Sequence, residues 1–467
     1  MLLLSLLGCL RFYTPEDTGT DSAGPPPLPD PIVVWGDLHN HSNLSHDGCE
    51  NPGDRCRPDA AEPAEATFDN ATANGLAFVA LTDHAEFGAW SMAESTTTVD
   101  IWETMIDLVS DAEAGPTFGV LGYEWTSACT EGVGDDYQAT HRTVILEAAS
   151  TCPEWRIPSC HPTEGAIVLG SERYVYSSFD PAIYPSDLLA RLRQVPLDDA
   201  TCDTRWAAWF HHTAQSRPAW VDWGTELSWV EGDTVVEIAS EHGSSECVDS
   251  STDGCDWRFS EFHESNGSIQ YMLQMGHKLG FVGGTDNHMA EPGRHGLGGG
   301  YVRDLDEPDS AAPWHTQFSS GTITGAISYD PAFDRGDLFD AIAARHTVVA
   351  SWPATGLMIY ATGADGERYL PGDDVPRTAM PLYLTITLDD PTVTEWYAEV
   401  VDEEGQPDLS YTVDIPANGA RYVRIRAWIP EDTVGGDTAT SDREEHRVFA
   451  SPFFALDDGD TGATSAG

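Results

Sequence analysis

The chain has 467 residues, too long for one small domain, and 40% of them are hydrophobic, including 15 Trp, so the material for a large core is present. Asp and Glu number 77 against 23 Lys and Arg, a formal charge of −54. Such a surface repels nucleic acid and anionic lipid and excludes nucleic-acid partners from the reading. No apolar run approaches the roughly 20 residues that a membrane-spanning helix needs.

The opening Met1–Leu10 is a short apolar stretch, and Leu6-Leu7-Gly8-Cys9 resembles the lipobox of a bacterial lipoprotein signal peptide. That resemblance implies export, with Cys9 as the lipidated residue and the membrane touched only through this anchor. Residues 10–31 are rich in Thr, Asp, Gly and Pro and read as a tether. Eight further cysteines remain, an even number that fits disulfides in an exported chain. Sequence proximity pairs Cys49 with Cys56, Cys152 with Cys160 and Cys247 with Cys255, leaving Cys129 for Cys202.

From Ile32 onward, apolar runs alternate with helix-like stretches. Strands are expected at Ile32–Trp35, Ala77–Leu81, Thr117–Tyr123, Arg142–Glu147, Ala207–Phe210, Val235–Ile238 and Gly280–Gly283. Helical patterns fall at Ile101–Ala114, Pro185–Arg193 and Gly267–Leu279. Alternating strands and helices predict parallel α/β architecture over residues 32–352, arranged as a barrel with its site at the strand C-termini. After about residue 352 the pattern changes. Leu357–Ala361, Pro381–Leu388, Trp396–Val401, Ala420–Trp428 and Arg447–Phe454 are separated by turn residues, and Tyr422 to Trp428 alternate with a period of two. This predicts a small antiparallel, sandwich-like β domain over residues 353–457, followed by a frayed tail at 458–467.

The polar residues at the expected strand ends form a series. The first strand runs into Gly36-Asp37-Leu38-His39-Asn40-His41, then His46 and Asp47. A His-x-His in extended chain puts both imidazoles on one face, because side chains repeat every two residues. The next ends are Thr82-Asp83-His84, Tyr123-Glu124, His141 at the start of a strand, His211-His212, Glu237 within a strand, and Thr285-Asp286-Asn287-His288. One such His is ordinarily structural. A run of strand ends that each supply a ligand-type residue points to divalent metals, since burying so many imidazoles and carboxylates without cations is costly.

WGDLHNHSNLSHDG, FVALTDHAEF, the Glu of LGYEWTS and GFVGGTDNH resemble, in order, the motifs of the PHP (polymerase and histidinol phosphatase) superfamily. VVEIASEHGSSE and the His-His pair resemble its large exported branch of metallohydrolases. The resemblance covers roughly residues 33–350 and implies a distorted seven-stranded (β/α) barrel holding two or three divalent ions, Zn, Mn or Fe. Carried over, His39 and His41 match the first motif, Asp47 (with His46 competing) the ligand after it, and His84 the second motif. Glu124 matches the carboxylate that bridges two metals, and Asp286 and His288 match the last motif. His141 corresponds to a strand-starting His after the bridging Glu. The family's His-Pro is His211-His212-Thr213 here; His211 matches best, with His212 close behind.

The resemblance implies hydrolysis, with phosphoesters as the first expectation, on a small-molecule or polymer-derived substrate. A phosphate group asks for a further cation, and Arg294 and His295 follow the last motif, with Arg142 and Arg217 as second choices. Glu241 and His242 are candidates for lining the pocket or moving protons. The alternatives are a carboxyl-ester, carbamate or amide hydrolase, and a non-catalytic surface protein with structural metals. Trp90, Trp125, Trp206, Trp209, Trp220, Trp223 and Trp229 read first as core and second as an apolar substrate pocket. Oligomeric state is not legible.

Overall fold

A computed structural model describes residues 29–42, 44–45, 64–85, 101–113, 115–126, 141–149, 152, 155, 157, 185–198, 200–214, 221–224, 233–241, 243–247, 265–288, 290–293, 321–430 and 443–456. Its first half carries β1 (Ile32–Asp37), β2 (Phe78–Leu81), β3 (Phe118–Thr126), β4 (His141–Leu146), β5 (Trp206–Phe210), β6 (Val235–Ser240), β7 (Gly243–Ser244), β8 (Gly280–Gly283), β9 (Ile323–Ser328) and β10 (Thr347–Ala350). The second half adds β11 (Met358–Thr362), β12 (Arg368–Tyr369), β13 (Asp374–Val375), β14 (Leu382–Thr387), β15 (Glu395–Asp402), β16 (Pro407–Asp408), β17 (Thr412–Val413), β18 (Ala420–Pro430), β19 (Arg443–Ala450) and β20 (Phe453–Ala455). No helix among the described residues is long and apolar enough to cross a membrane.

The result is a mixed α/β fold dominated by one large sheet, with few helices. β1, β2 and β3 pair in parallel. β4 then runs antiparallel to both β3 and β5, so the sheet is not uniformly parallel as expected. The far edge of β1 is taken by β9, antiparallel, and β9 pairs with β10. β9 and β10 are not among the strands expected from the sequence. Their signals are the run Ile323-Thr324-Gly325-Ala326-Ile327 and the capping box of the following helix Arg335–Ala344, in which Asp334 accepts from Asp337 N and Asp337 reaches back.

A closed seven-stranded barrel is not found among the described residues. With β1 occupied by β9, β6 and β8 pair in parallel in a separate small sheet, in which β7 runs antiparallel to β6. That sheet is held to its neighbours by side chains. Phe281 N donates to Ser451 Oγ at 2.8 Å, Gly283 N to Thr324 Oγ1 at 2.9 Å, and the Thr324 hydroxyl returns to Gly283 O at 2.7 Å. On the other side, Arg142 of β4 makes a two-pronged ion pair with Asp233, just before β6, at 3.0 and 2.7 Å. Its guanidinium lies 3.8 Å over the Phe210 ring of β5. These contacts span gaps where no ladder runs.

The large sheet does not stop at the end of the first half. β10 pairs antiparallel with β19, which pairs with β18 and through it with β15. A four-stranded sheet, β12-β11-β14-β17, faces this extension. Ile359, Ala361 and Leu382 of the smaller sheet pack with Val423, Ile425, Val448 and Val400 of the larger, the inward-facing alternation of two stacked sheets. Helix Ile101–Ala112 buries Trp102, Met105 and Val109, spaced for one helical face, in a cluster with Leu121, Tyr123 and Trp125 of β3. Trp125, Trp209 and Trp223 are fully buried, as core residues, and Trp206 is half-buried; Trp90, Trp220 and Trp229 lie outside the described residues.

The disulfide expectation needs correction. Cys152 is bonded to Cys202, 50 residues on, with Cα atoms 5.5 Å apart, so neither Cys152–Cys160 nor Cys129–Cys202 forms. Trp155 lies beside the bond: its indole is buried with Cys152 and Cys202 and donates to Cys202 O at 3.1 Å. Cys247 is also disulfide-bonded. Cys9, Cys49, Cys56, Cys129, Cys160 and Cys255 lie outside the described residues.

Candidate metal centre

The ends of several strands meet at one focus, and the backbone fixes how they meet. Just past β1 and β8, His41 N donates to Asn287 O at 2.8 Å and Asp286 N to His39 O at 2.7 Å. Past β2, Ala85 N donates to Glu124 O at 2.8 Å. Because β4 is antiparallel, its first residue, His141, sits opposite Thr126 at the end of β3 that carries Glu124. Gly284 permits the closest approach. A Cβ there would lie 2.2 Å from the His39 Cβ, so a larger residue would push the Asp286 segment away.

Below these contacts sits Asp37, fully buried. It accepts from His39 N, Thr285 N, Thr285 Oγ1 and Gly293 N. Burial pushes its carboxyl up to about 6, with Thr285 and the backbone donors opposing. The strand ends that carry His39 and Asp286 are thereby tied to one side chain.

Nine of the expected ligand residues converge. Four sets of side chains each bring their ligand atoms within 4.8 Å of one another: His39, His41, Glu124 and Asp286; Glu124, His141 and His211; His41, His84 and His288; and His211, His212 and Asp286. Glu124 belongs to two sets through different oxygens. Oε2 faces His39 and His41 at 3.3 and 3.1 Å, while Oε1 faces His141 and His211 at 2.6 and 3.2 Å. His212 Nε2 lies 2.7 Å from Asp286 Oδ2, on the carboxylate edge away from His39 and His41. His212 and Asp286 both have left-handed backbone, φ 55° and 53°. This conformation is uncommon outside glycine and is held where surroundings over-determine it.

The first set has the dimensions of a metal site. His39 Nε2 to His41 Nε2 is 3.2 Å, His39 Nε2 to Glu124 and Asp286 is 3.3 and 3.4 Å, and His41 Nε2 to the same two is 3.1 and 3.2 Å. Five of the set's six edges thus lie between 3.1 and 3.4 Å, and a regular tetrahedron with edges of that length would have its centre about 2.0 Å from each corner, comparable with the roughly 2.0–2.2 Å of zinc–nitrogen and zinc–oxygen bonds. Two imidazole nitrogens and two carboxylate oxygens suit Zn, Mn or Fe.

The electrostatics say the same. Burial pushes the Glu124 carboxyl up, but His84, His211 and His141 outweigh it and hold Glu124 well below the usual carboxylate range. Burial alone would depress His39, yet Asp286, Glu237 and Glu124 hold it well above an ordinary imidazole. Burial depresses His211 despite Glu124. Glu237 is pushed by burial to about 7, with His39 opposing. A buried set whose members push one another this far from their ordinary charge is compatible with divalent cations at its focus.

Glu237 has a defined place. Its Oε2 lies 2.8 Å from His39 Nδ1, so with a metal bound Nδ1 would keep its proton and Nε2 would turn its lone pair to the focus. This is the usual support of a metal-ligating imidazole. His288 is oriented in the same way by the Asp286 carbonyl, 3.1 Å from Nδ1.

Other candidates are placed differently. Arg142 points away from the focus, because it follows His141 on a strand and alternate side chains face opposite ways; its partners are Asp233 and Phe210. Glu241 N donates to Thr285 O at 3.0 Å, and its carboxylate belongs to none of the four sets. His46, Asp47, Arg217, His242, Arg294 and His295 lie outside the described residues.

No protein-family model matches the chain, and no curated protein is similar to it. Among solved structures, an amidohydrolase from Chromobacterium violaceum with bound sulfate and no metal is similar at 15% identity, over 54% of this chain and 87% of that one, with a TM-score of 0.22. A superposition that loose leaves the functional argument to the residues themselves.

Proposed function

We propose that the chain is a metal-dependent hydrolase of the PHP type and that phosphoesters are its substrates. The observation that carries the reading is the buried convergence of His39, His41, Glu124 and Asp286, five of whose six donor separations are 3.1–3.4 Å, compatible with a divalent ion between them. When bound, divalent ions supply a lowered pKa for water and neutralise charge that develops on the attacked group.

The chain's own residues divide the remaining work. Glu124 joins two ligand sets, and Glu237 fixes the His39 ring. The side chains of the first set are at most 3% exposed, whereas His141, in the set with Glu124 and His211, keeps 22%. Four buried donors close a site, while three donors with an accessible member leave a position for substrate. We therefore place the substrate's reacting oxygen on the His141 side. The buried disulfide Cys152–Cys202 supports an exported setting.

One observation favours a second reading, an ester, carbamate or amide hydrolase. Among the described residues the ion pairs of Glu124 and Asp286 are with histidines, and the candidate cation Arg142 is committed to Asp233. A phosphate would then depend on Arg294 or His295.

The purified chain, reconstituted separately with Zn, Mn and Fe, is assayed on phosphomonoesters and phosphodiesters beside aryl esters, carbamates and amides. Phosphoester turnover that disappears in His39→Ala supports the proposal. Turnover confined to the ester, carbamate or amide substrates overturns the phosphoesterase reading. A fully metal-loaded chain that turns over nothing favours the non-catalytic alternative.

A further inference from the structure

We propose that Ser45 is a positioning residue that fixes the tautomer of His41 and couples two of the ligand sets. The inference rests on the metal-centre reading above. Ser45 belongs to none of those sets. In the sequence it is only a spacer between His41 and Asp47.

The 42–45 segment turns back on itself, with Ser45 N donating to Ser42 O at 3.2 Å. The turn returns the Ser45 side chain, 5% exposed, to the inner face of His41. There Oγ has three polar neighbours, each at 3.0 Å: Asp83 Oδ1, the backbone N of His84, and His41 Nδ1.

A hydroxyl has one hydrogen to give and two lone pairs to offer. The His84 N–H can only donate, so it uses one lone pair. The Asp83 carboxylate can only accept, so it takes the hydrogen. Asp83 is itself held by the Ser42 N–H at 2.7 Å and the Ser42 hydroxyl at 3.0–3.1 Å. One lone pair remains, and it faces His41 Nδ1. That nitrogen must therefore carry its proton, and Nε2 presents its lone pair to the focus shared with Glu124 and Asp286. Reversing the His41 tautomer would set two acceptors against each other at Nδ1, or at Asp83, in a buried place.

Glu237 does the same for His39 with a charged oxygen. Ser45 does it for His41 with a neutral one, and at the same time pins the backbone of His84, a member of another set. His41, His84 and His288 form one set, and His41 also belongs to the four-membered set. The set of Glu124, His141 and His211 contains no residue that Ser45 touches. Loss of the hydroxyl should therefore weaken some sites and spare another.

The test is zinc binding to the metal-stripped full chain, followed by titration calorimetry, for wild type, Ser45→Ala and Ser45→Thr. Cobalt(II) absorption reports ligand geometry on the same samples, and circular dichroism reports the fold. The expected result is that Ser45→Ala weakens the sites served by His41 by roughly 10–100-fold, the usual effect of losing such a supporting group. At least one equivalent keeps wild-type affinity, and Ser45→Thr, which retains the hydroxyl, recovers most of the loss. Wild-type affinity for every equivalent in Ser45→Ala overturns the proposal, as does uniform weakening of all equivalents in a folded protein. If Ser45→Ala does not fold, Asp83→Ala removes the acceptor and frees the same hydroxyl to donate to His41 Nδ1; selective weakening supports the proposal and unchanged binding overturns it. A wild-type chain that takes up no zinc overturns the metal-centre reading, and this inference with it.

Discussion

His39 Nδ1 lies 2.8 Å from Glu237 Oε2, although the two residues are 198 positions apart in the chain. Both are buried. With a metal bound, the carboxylate would hold the ring in the tautomer whose Nε2 lone pair faces the focus, and the contact joins β6 to the segment after β1. Glu237→Gln keeps an oxygen acceptor without the charge, while Glu237→Ala removes both. Metal affinity is expected to fall by roughly 10–100-fold in the Ala variant and by less in the Gln variant. Metal analysis after dialysis against graded chelator measures both, and equal retention in all three proteins contradicts the role.

Asp286 is a corner of the four-membered set, and its φ of 53° is left-handed. Asn tolerates that backbone and Ala does so poorly. Both Asp286→Asn and Asp286→Ala are expected to lose metal and turnover. Only the Ala variant adds a backbone cost of about 1–2 kcal/mol, seen as a lower unfolding midpoint when both are compared metal-free.

Removing metal should destabilise the fold as well as stop turnover. Without cations, Glu124, Asp286 and Glu237 are buried close to one another, facing imidazoles among the described residues. Restoring a divalent ion at about one hundred times its dissociation constant adds roughly 2.7 kcal/mol. Thermal unfolding with chelator and with added Zn or Mn reads the difference; superimposed curves would count against a metal at this focus.

Arg142 and Asp233 are a buried pair, 0% and 1% exposed, spanning a gap between strands with no ladder. Arg142→Met leaves the carboxylate alone and is expected to cost about 3–5 kcal/mol. Burial pushes Asp233 up, and Arg142 opposes it. A carboxyl raised in the folded state favours folding while protonated, and that contribution is lost as pH rises through its folded pKa. Arg142→Met removes the opposing charge, so its loss of stability should grow as pH rises above the ordinary carboxylate range. Denaturant melts at several pH values check the slope.

The Cys152–Cys202 bond closes a loop of 50 residues. Replacing both cysteines by Ala is expected to cost about 2–4 kcal/mol. Denaturant unfolding of the double variant beside wild type, both oxidised, gives the figure.

Much of the site was legible because its signals are local. His39-x-His41 and Asp286-x-His288 follow the period of extended chain, and the order of ligand-type residues at strand ends is written along the sequence. The strands themselves were mostly legible for the same reason: Phe78–Leu81 and Val235–Ser240 are short apolar runs bounded by polar residues. β9 and β10 were missed because Gly325 interrupts the first, and a short run such as Thr347–Ala350 has little period to read.

Local signals do not say which strand sits beside which. The sequence by itself determined the candidate ligand residues, the mixed α/β character of the first half, and the run of β-strands after residue 352. Only the tertiary structure decided that β9 takes the second edge of β1 and that, among the described residues, β6 and β8 pair in a separate small sheet. It also decided that Arg142 serves Asp233, that Cys152 meets Cys202, and that Glu237 and Ser45 stand behind two imidazoles. The physical reason is common to all of these. Periodicity fixes the face on which a side chain lies, whereas its partner depends on sheet order and register, which are settled by burial and hydrogen bonding between segments far apart in the chain.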